Sequence, residues 1–134
     1  MLEIPRSVLD AIFVQSKAEM PFEACGLLAG LGQRVAEAIA MTNVDQSGQH
    51  FMMDPKEQFA AIKAIRRAGL QLLAIYHSHP TSPAWPSEED IRLALTPGVA
   101  YVIISFAEGP QPTIRAFRIQ DGQVIEEGLE VEDE

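Results

Sequence analysis

Residues 72–80 read LLAIYHSHP, an apolar run that leads into two histidines and a proline. A continuous apolar run of this length is typical of a central strand that is buried on both faces. Pro80 has no backbone N–H to donate, so the strand should end there. Side chains two positions apart on a strand point to the same face. His77 and His79 are therefore predicted to project together from the end of a buried strand, with Ser78 on the opposite face.

Helical and extended patterns alternate on both sides of this strand. Pro5 opens an amphipathic pattern that closes near Met20, and Asp54-Pro55 begins a second helix that Gly69 ends. Asp121-Gly122 is a strong two-residue hairpin signal. Extended patterns cover residues 25–31, 34–43, 99–106, 113–120 and 123–127, and the loop 45–53 should lead into another strand. The order predicts an α/β fold with a mixed sheet and helical cover.

Length and charge suggest one domain with a short acidic end. The chain has 134 residues, of which 47% are hydrophobic, and a net charge of −9. Six of its 19 acidic residues lie in 126–134, a segment without a basic residue. We therefore expect a single domain over residues 1–125 and a solvated acidic tail over 126–134. The remainder has no cluster of basic residues, which makes a nucleic acid an unsuitable partner.

Targeting signals and disulfides are not expected. No apolar run approaches the roughly 20 residues of a membrane helix, and the first residues lack the pattern of a secretory signal. Cys25 is the single cysteine, which excludes an internal disulfide or a paired-cysteine zinc site. These features predict a cytoplasmic protein without a membrane partner.

The histidine pair could form half of a metal site, because two imidazoles on one face are suitable zinc ligands. Asp90 and His50 are alternative third ligands. Two nitrogens and one carboxylate oxygen would leave the fourth tetrahedral position open, as in catalytic zinc sites. A structural interpretation is also available, since Ser87 and Asp90 have the spacing of a helix capping box. From spacing alone, both interpretations stay open.

A longer pattern favours the metal site. His77-Ser78-His79-Pro80, a gap of six residues, Ser87, a gap of two and Asp90 together resemble the JAMM motif of the MPN-domain metalloproteases. The family also has a glutamate upstream, at the start of its first core strand. The segment 21–30, PFEACGLLAG, looks like that region and contains Glu23.

The resemblance implies a curved mixed sheet flanked by helices, the layered architecture shared with cytidine deaminases. It also implies one Zn²⁺ held by His77, His79 and Asp90, with Glu23 as general acid/base and Ser87 assisting at the oxyanion. Small prokaryotic members act on ubiquitin-like sulfur carriers of the ThiS/MoaD type, after the C-terminal Gly-Gly. The alternative is a non-catalytic MPN-type interaction module. A zinc deaminase is excluded because it requires two thiolates.

Overall fold

The computed structural model describes residues 1–133 and has eight strands in one mixed sheet. The strands lie in the order β7-β6-β5-β4-β2-β3-β1-β8. The helices are α1 (Arg6–Glu19), α2 (Pro55–Arg67) and the short α3 (Glu88–Arg92). The strands are β1 (Leu2–Pro5), β2 (Cys25–Leu31), β3 (Arg34–Met41), β4 (Gln71–His79), β5 (Ala100–Ser105), β6 (Thr113–Gln120), β7 (Gln123–Glu127) and β8 (Leu129–Glu132). The predicted α/β class is confirmed.

The predicted central strand is β4. It pairs antiparallel with β2 and parallel with β5, so neither of its edges is free. One face of the sheet packs on α1, where Ile12 and Tyr76 share a core. The opposite face packs on α2, where Leu27 and Ile65 share another core. Because Tyr76 faces α1, its neighbour His77 points to the α2 side, as strand alternation requires.

The sheet is strongly curved, as the connection between its two outermost strands shows. β7 and β8 occupy opposite ends of the strand order, yet Gly128 alone separates them in the chain. A single residue spans at most about 3.6 Å, so the two ends of the sheet must nearly meet. The backbone N–H of Leu2 donates to the Gly128 carbonyl at 2.9 Å, which places β1 at the same junction.

The expectation of a solvated tail after residue 125 is wrong for the described residues. β7 runs through Glu127, so the predicted boundary falls inside a strand, and β8 pairs in parallel with β1 over four residues. Two ion pairs accompany the pairing, Arg34 with Glu132 at 3.3 Å and Arg6 with Asp133 at 3.2 Å. Strand pairing at the sheet edge therefore accounts for a segment whose acidity suggested a free end. Glu134 lies outside the described residues.

The segment between β3 and α2 also differs from the prediction, because the expected additional strand does not form. Residues 44–52, here called the 44–52 loop, are closed at their base by an isolated antiparallel bridge between Asn43 and Met53. None of the helices within residues 1–133 is long and apolar enough to cross a membrane.

Candidate metal centre

The end of β4 delivers two histidines to the α2 side of the sheet. His77 lies opposite Cys25 of β2 and opposite Ile103 of β5 in the strand register. Ser78 points to the other side, where its Oγ accepts a hydrogen bond from the Ala24 N–H at 2.8 Å. Both imidazoles are buried, with 3% and 4% of the residue exposed. The predicted projection from one face is confirmed.

A helix start brings the third group to the histidines. Ser87 caps α3, its Oγ accepting from the Asp90 N–H at 3.0 Å while the Ser87 N–H donates to Asp90 Oδ2 at 2.9 Å. The same Oδ2 lies 3.1 Å from Nε2 of His77 and 3.1 Å from Nε2 of His79. The two Nε2 atoms are also 3.1 Å apart. Three potential donor atoms thus form an almost equilateral triangle.

This triangle has the dimensions of a zinc site. Tetrahedral zinc with bonds of 2.0–2.1 Å keeps its ligand atoms about 3.3 Å apart, close to the distances found here. The carbonyl of Pro83 lies 2.8 Å from Nδ1 of His79. A proton on that Nδ1 leaves the Nε2 lone pair free for a metal, and such a contact also fixes the orientation of the ring. The residues therefore fit a divalent cation.

In the absence of a metal, the three groups favour different protonation states, and a bound cation would replace the protons that they share. Burial lowers the pKa of His77, which keeps its imidazole neutral. Burial also opposes the charged form of His79, but hydrogen bonds to Asp90 and to the Pro83 carbonyl outweigh it and raise the pKa of His79. Burial favours the neutral form of Asp90, but hydrogen bonds from both histidines hold its pKa well below the usual range. Asp90 is thus an anionic ligand across the physiological pH range.

Glu23 lies beside this group, two residues before the start of β2. It is 3% exposed, and burial raises the pKa of its carboxyl to about 8. The charge of His79 opposes this rise, and that of Asp90 adds to it. A carboxyl group that titrates near neutral pH can both accept and release a proton, as a general acid/base requires.

His50, the alternative third ligand, lies apart from the triangle. Its Nδ1 contacts Asp45 Oδ2 at 3.1 Å on the exposed 44–52 loop. Within residues 1–133, the His, Cys, Asp and Glu side chains that are close enough to share a metal ion are His77, His79 and Asp90. His50 is not among them.

Two neighbours of the centre were missed from the sequence. The ring of Phe51 stacks on His77 with the centroids 4.7 Å apart, and the buried side chain of Asn43 binds the carbonyl of Glu23. Neither residue has a local sequence signal, because the fold of the 44–52 loop is what brings each of them to the centre.

An apolar cavity of about 270 Å³ adjoins His77 and Asp90, and its walls include Phe51, Met52, Ile75, Leu93, Tyr101 and Ile103.

Residues 5–120 match a family model described as prokaryotic homologs of the JAB domain. The chain belongs to this family. Its relatives include a CysO-cysteine peptidase of Mycobacterium tuberculosis, 35% identical over 98% of this chain and 91% of the relative. A probable TtuB-protein conjugate cleaving protease of Thermus thermophilus is 40% identical over 93% of this chain and 80% of the relative.

Solved structures give the same result for the fold. A JAB1/MPN domain protein of Archaeoglobus fulgidus matches 97% of this chain and 98% of its own, with 25% identity and a TM-score of 0.66. The resemblance to the JAB/MPN family and the curved, helix-flanked sheet that it implied are confirmed. The expected enzyme class, a peptidase, is also confirmed, since the relatives are a peptidase and a conjugate cleaving protease.

Proposed function

We propose that this JAB-family protein is a zinc-dependent peptidase that cleaves the amide bond after the C-terminal Gly-Gly of a ubiquitin-like sulfur carrier. The proposal rests above all on one observation, the 3.1 Å triangle of His77, His79 and Asp90 beside the buried Glu23. The names of two relatives support the substrate class, since one is a CysO-cysteine peptidase and another a TtuB-conjugate protease. We also place the reaction in the cytoplasm, where the lone buried thiol of Cys25 stays reduced.

His77, His79 and Asp90 would hold the zinc ion. When bound, zinc lowers the pKa of a water ligand from 15.7 to about 7 and so supplies a nucleophile at neutral pH. Two neutral imidazoles and one carboxylate suit zinc. Phe51 covers one side of the His77 ring, and the Pro83 carbonyl contacts Nδ1 of His79. These contacts fix the orientation of both imidazoles.

Glu23 would carry the proton of the reaction. Its carboxylate takes a proton from the nucleophile and passes it to the leaving nitrogen of the cleaved amide. Without a metal, burial raises the pKa of this carboxyl to about 8, and a cation at the neighbouring triangle would lower it and favour the carboxylate that accepts the first proton. Burial keeps the carboxylate away from bulk water, and its charged neighbours His79 and Asp90 lie on the side where the reaction would occur.

Ser87 would stabilise the oxygen that becomes negative in the transition state. Its Oγ already accepts a hydrogen bond from the Asp90 N–H, which fixes the hydroxyl beside the third ligand. An oxygen that accepts one hydrogen bond still has its own hydrogen to donate. Capping α3 and donating to the substrate are therefore compatible roles.

The test is the incubation of a ThiS/MoaD-type carrier, extended by one cysteine after its Gly-Gly, with the zinc-loaded protein. We expect intact-mass measurement to show loss of the added cysteine, inhibition by a chelator and recovery with zinc. A carrier that carries Ala-Ala in place of Gly-Gly is the control and should remain uncut. A carrier that binds to the zinc-loaded protein but stays intact would support the non-catalytic interaction module instead.

A further inference from the structure

Asn43 is a buried amide that uses its full hydrogen-bonding capacity next to Glu23. The residue lies two positions beyond β3 and is 4% exposed. Its Nδ2 donates to the carbonyls of Glu23 and His50, at 3.1 Å and 3.2 Å. Its Oδ1 accepts from the N–H groups of Asp45 and Met52, both at 3.1 Å. An amide offers two donor hydrogens and two acceptor positions, and all four are in use here.

Glu23 depends on these contacts because it lies outside the sheet ladder. β2 begins at Cys25, two residues later. The N–H of Glu23 donates to the Ser47 carbonyl at 2.7 Å, and its carbonyl accepts from Asn43. Both backbone polar groups of Glu23 are thus held by Asn43 and by the 44–52 loop that it organises.

One oxygen of the Glu23 carboxylate has no hydrogen bond from the described residues to fix it. Its Oε1 is buried, and no group of residues 1–133 forms a hydrogen bond with it. The placement of this oxygen therefore depends on how the backbone of Glu23 is held.

The 44–52 loop also contacts the centre from a second direction. Phe51 stacks on His77, so the loop touches one of the candidate ligands as well as Glu23. Its tip lies close to the segment before Glu23, because a Cβ on Gly48 would be 2.7 Å from the Pro21 carbonyl oxygen. Asn43 binds both ends of this loop, through Asp45 and Met52, and so fixes its path.

We propose that Asn43 is a positioning residue, which holds the general acid/base Glu23 at the metal centre by binding its carbonyl and by shaping the 44–52 loop. The inference rests on the proposed function, because it takes Glu23 to be the general acid/base that Asn43 positions. Asn43 acts through Glu23 and touches neither the ligand triangle nor the reacting atoms. Its loss should therefore lower turnover while the metal stays bound.

The first test is Asn43→Ala, with Thr42→Ala as the matched control. Thr42 is the preceding residue, and its Oγ1 donates to Glu57 Oε2 on α2 at 2.8 Å, away from Glu23. Misplacement of a reacting group by about 1 Å can reduce a rate about a hundredfold. We expect kcat to fall about tenfold to a hundredfold in Asn43→Ala with KM changed less than threefold. Thr42→Ala should keep kcat within twofold of the parent protein.

Two further readouts need no substrate. Hydrogen exchange at the Glu23 amide should be at least tenfold faster in Asn43→Ala than in the parent protein or Thr42→Ala. Zinc content should stay at one ion per chain, and the visible spectrum of the cobalt-substituted protein should be unchanged. A merely structural role for Asn43 would accelerate exchange across β3 without this selectivity for Glu23.

Gly48→Ala provides a second variant in case Asn43→Ala does not fold. The added methyl group meets the Pro21 carbonyl and should push the loop away from Glu23 while Asn43 remains in place. We expect the same pattern of faster Glu23 exchange, lower kcat and retained zinc.

Unchanged Glu23 exchange in both variants would overturn the inference, as would loss of zinc together with activity or an equal loss of kcat in Thr42→Ala. If the parent protein cleaves no carrier, the proposed function fails. Faster Glu23 exchange with retained zinc would still support Asn43 as the residue that positions Glu23 in that case.

Discussion

The candidate ligands and the candidate general acid/base are held in different ways. His77 pairs with β2 and β5 within the sheet, His79 pairs with β5, and Asp90 is fixed by the capping box of α3. Glu23 lies before β2 and is held by the 44–52 loop through Asn43 and Ser47. The ligand set is therefore built from regular secondary structure, whereas the position of Glu23 depends on a loop.

This difference indicates that metal binding and turnover can be separated by mutation. Loss of a ligand removes a corner of the triangle, for which no other described side chain is in place. Loss of the Glu23 carboxylate would leave the triangle intact and remove the proposed proton carrier. The first two of the following variants each affect one of these two parts.

His79→Ala should have the largest effect, because it removes one of the three donor atoms and the ring that the Pro83 carbonyl orients. We expect loss of both bound zinc and carrier cleavage to below detection, measured by metal analysis and intact mass. His50→Ala is the matched control, since His50 pairs with Asp45 on the exposed loop. It should retain both properties, and stoichiometric zinc in His79→Ala would refute the ligand assignment.

Glu23→Gln should retain zinc and lose turnover. General acid/base catalysis typically contributes about 10²- to 10⁴-fold, so kcat should fall by that factor with one zinc per chain still present. Glu89→Gln is the control, because Glu89 is a neighbouring acid that pairs with Arg92 at the surface. A normal rate in Glu23→Gln would remove Glu23 as the proton carrier.

Ser87 links the two parts, and two substitutions separate its roles. Ala at a helix N-cap costs about 1 kcal/mol, whereas Gly costs only a few tenths. Removal of one oxyanion donor lowers kcat about 10²- to 10³-fold. We expect both Ser87→Ala and Ser87→Gly to lose kcat, and only Ser87→Ala to lose stability in urea unfolding. Full activity in Ser87→Gly would show that the hydroxyl is dispensable.

The remaining effect concerns the stability of the metal-free protein between pH 5 and pH 8. Burial raises the pKa of Glu23 to about 8 from an ordinary value of 4.5, so in this interval the unfolded state binds fewer protons than the folded state. The free energy of unfolding should therefore fall as pH rises from about 5 to 8. The Glu23→Gln variant lacks this contribution, so the urea midpoint of that variant should decline less over the same interval. Parallel declines would contradict the burial of an ionisable Glu23.

Local sequence patterns predicted the parts of the site that lie on regular elements. The apolar run before His77 indicated a central strand, and the spacing of Ser87 and Asp90 indicated a capped helix start. Both depend on interactions between residues close in sequence. The resemblance to the JAMM pattern then connected Glu23 to these elements, although it lies more than 50 residues upstream.

The remaining features depend on contacts between distant parts of the chain. β1 and β8 are four-residue strands at opposite ends of the sequence, and they pair with each other in parallel. This pairing was not predicted, because the acidic composition of β8 favoured a solvated end. The proposed role of Asn43 likewise depends on a contact between distant residues, since Asn43 binds the carbonyl of Glu23 from 20 residues away.

A crystal structure of the zinc-loaded protein, with the metal located by its anomalous signal, would test the central assignment most directly. The account predicts one zinc ion within about 2.0–2.2 Å of Nε2 of His77, Nε2 of His79 and Oδ2 of Asp90. Glu23 should be close to the open coordination position without binding the ion. Zinc bound directly by the Glu23 carboxylate, or bound at His50 instead, would contradict it.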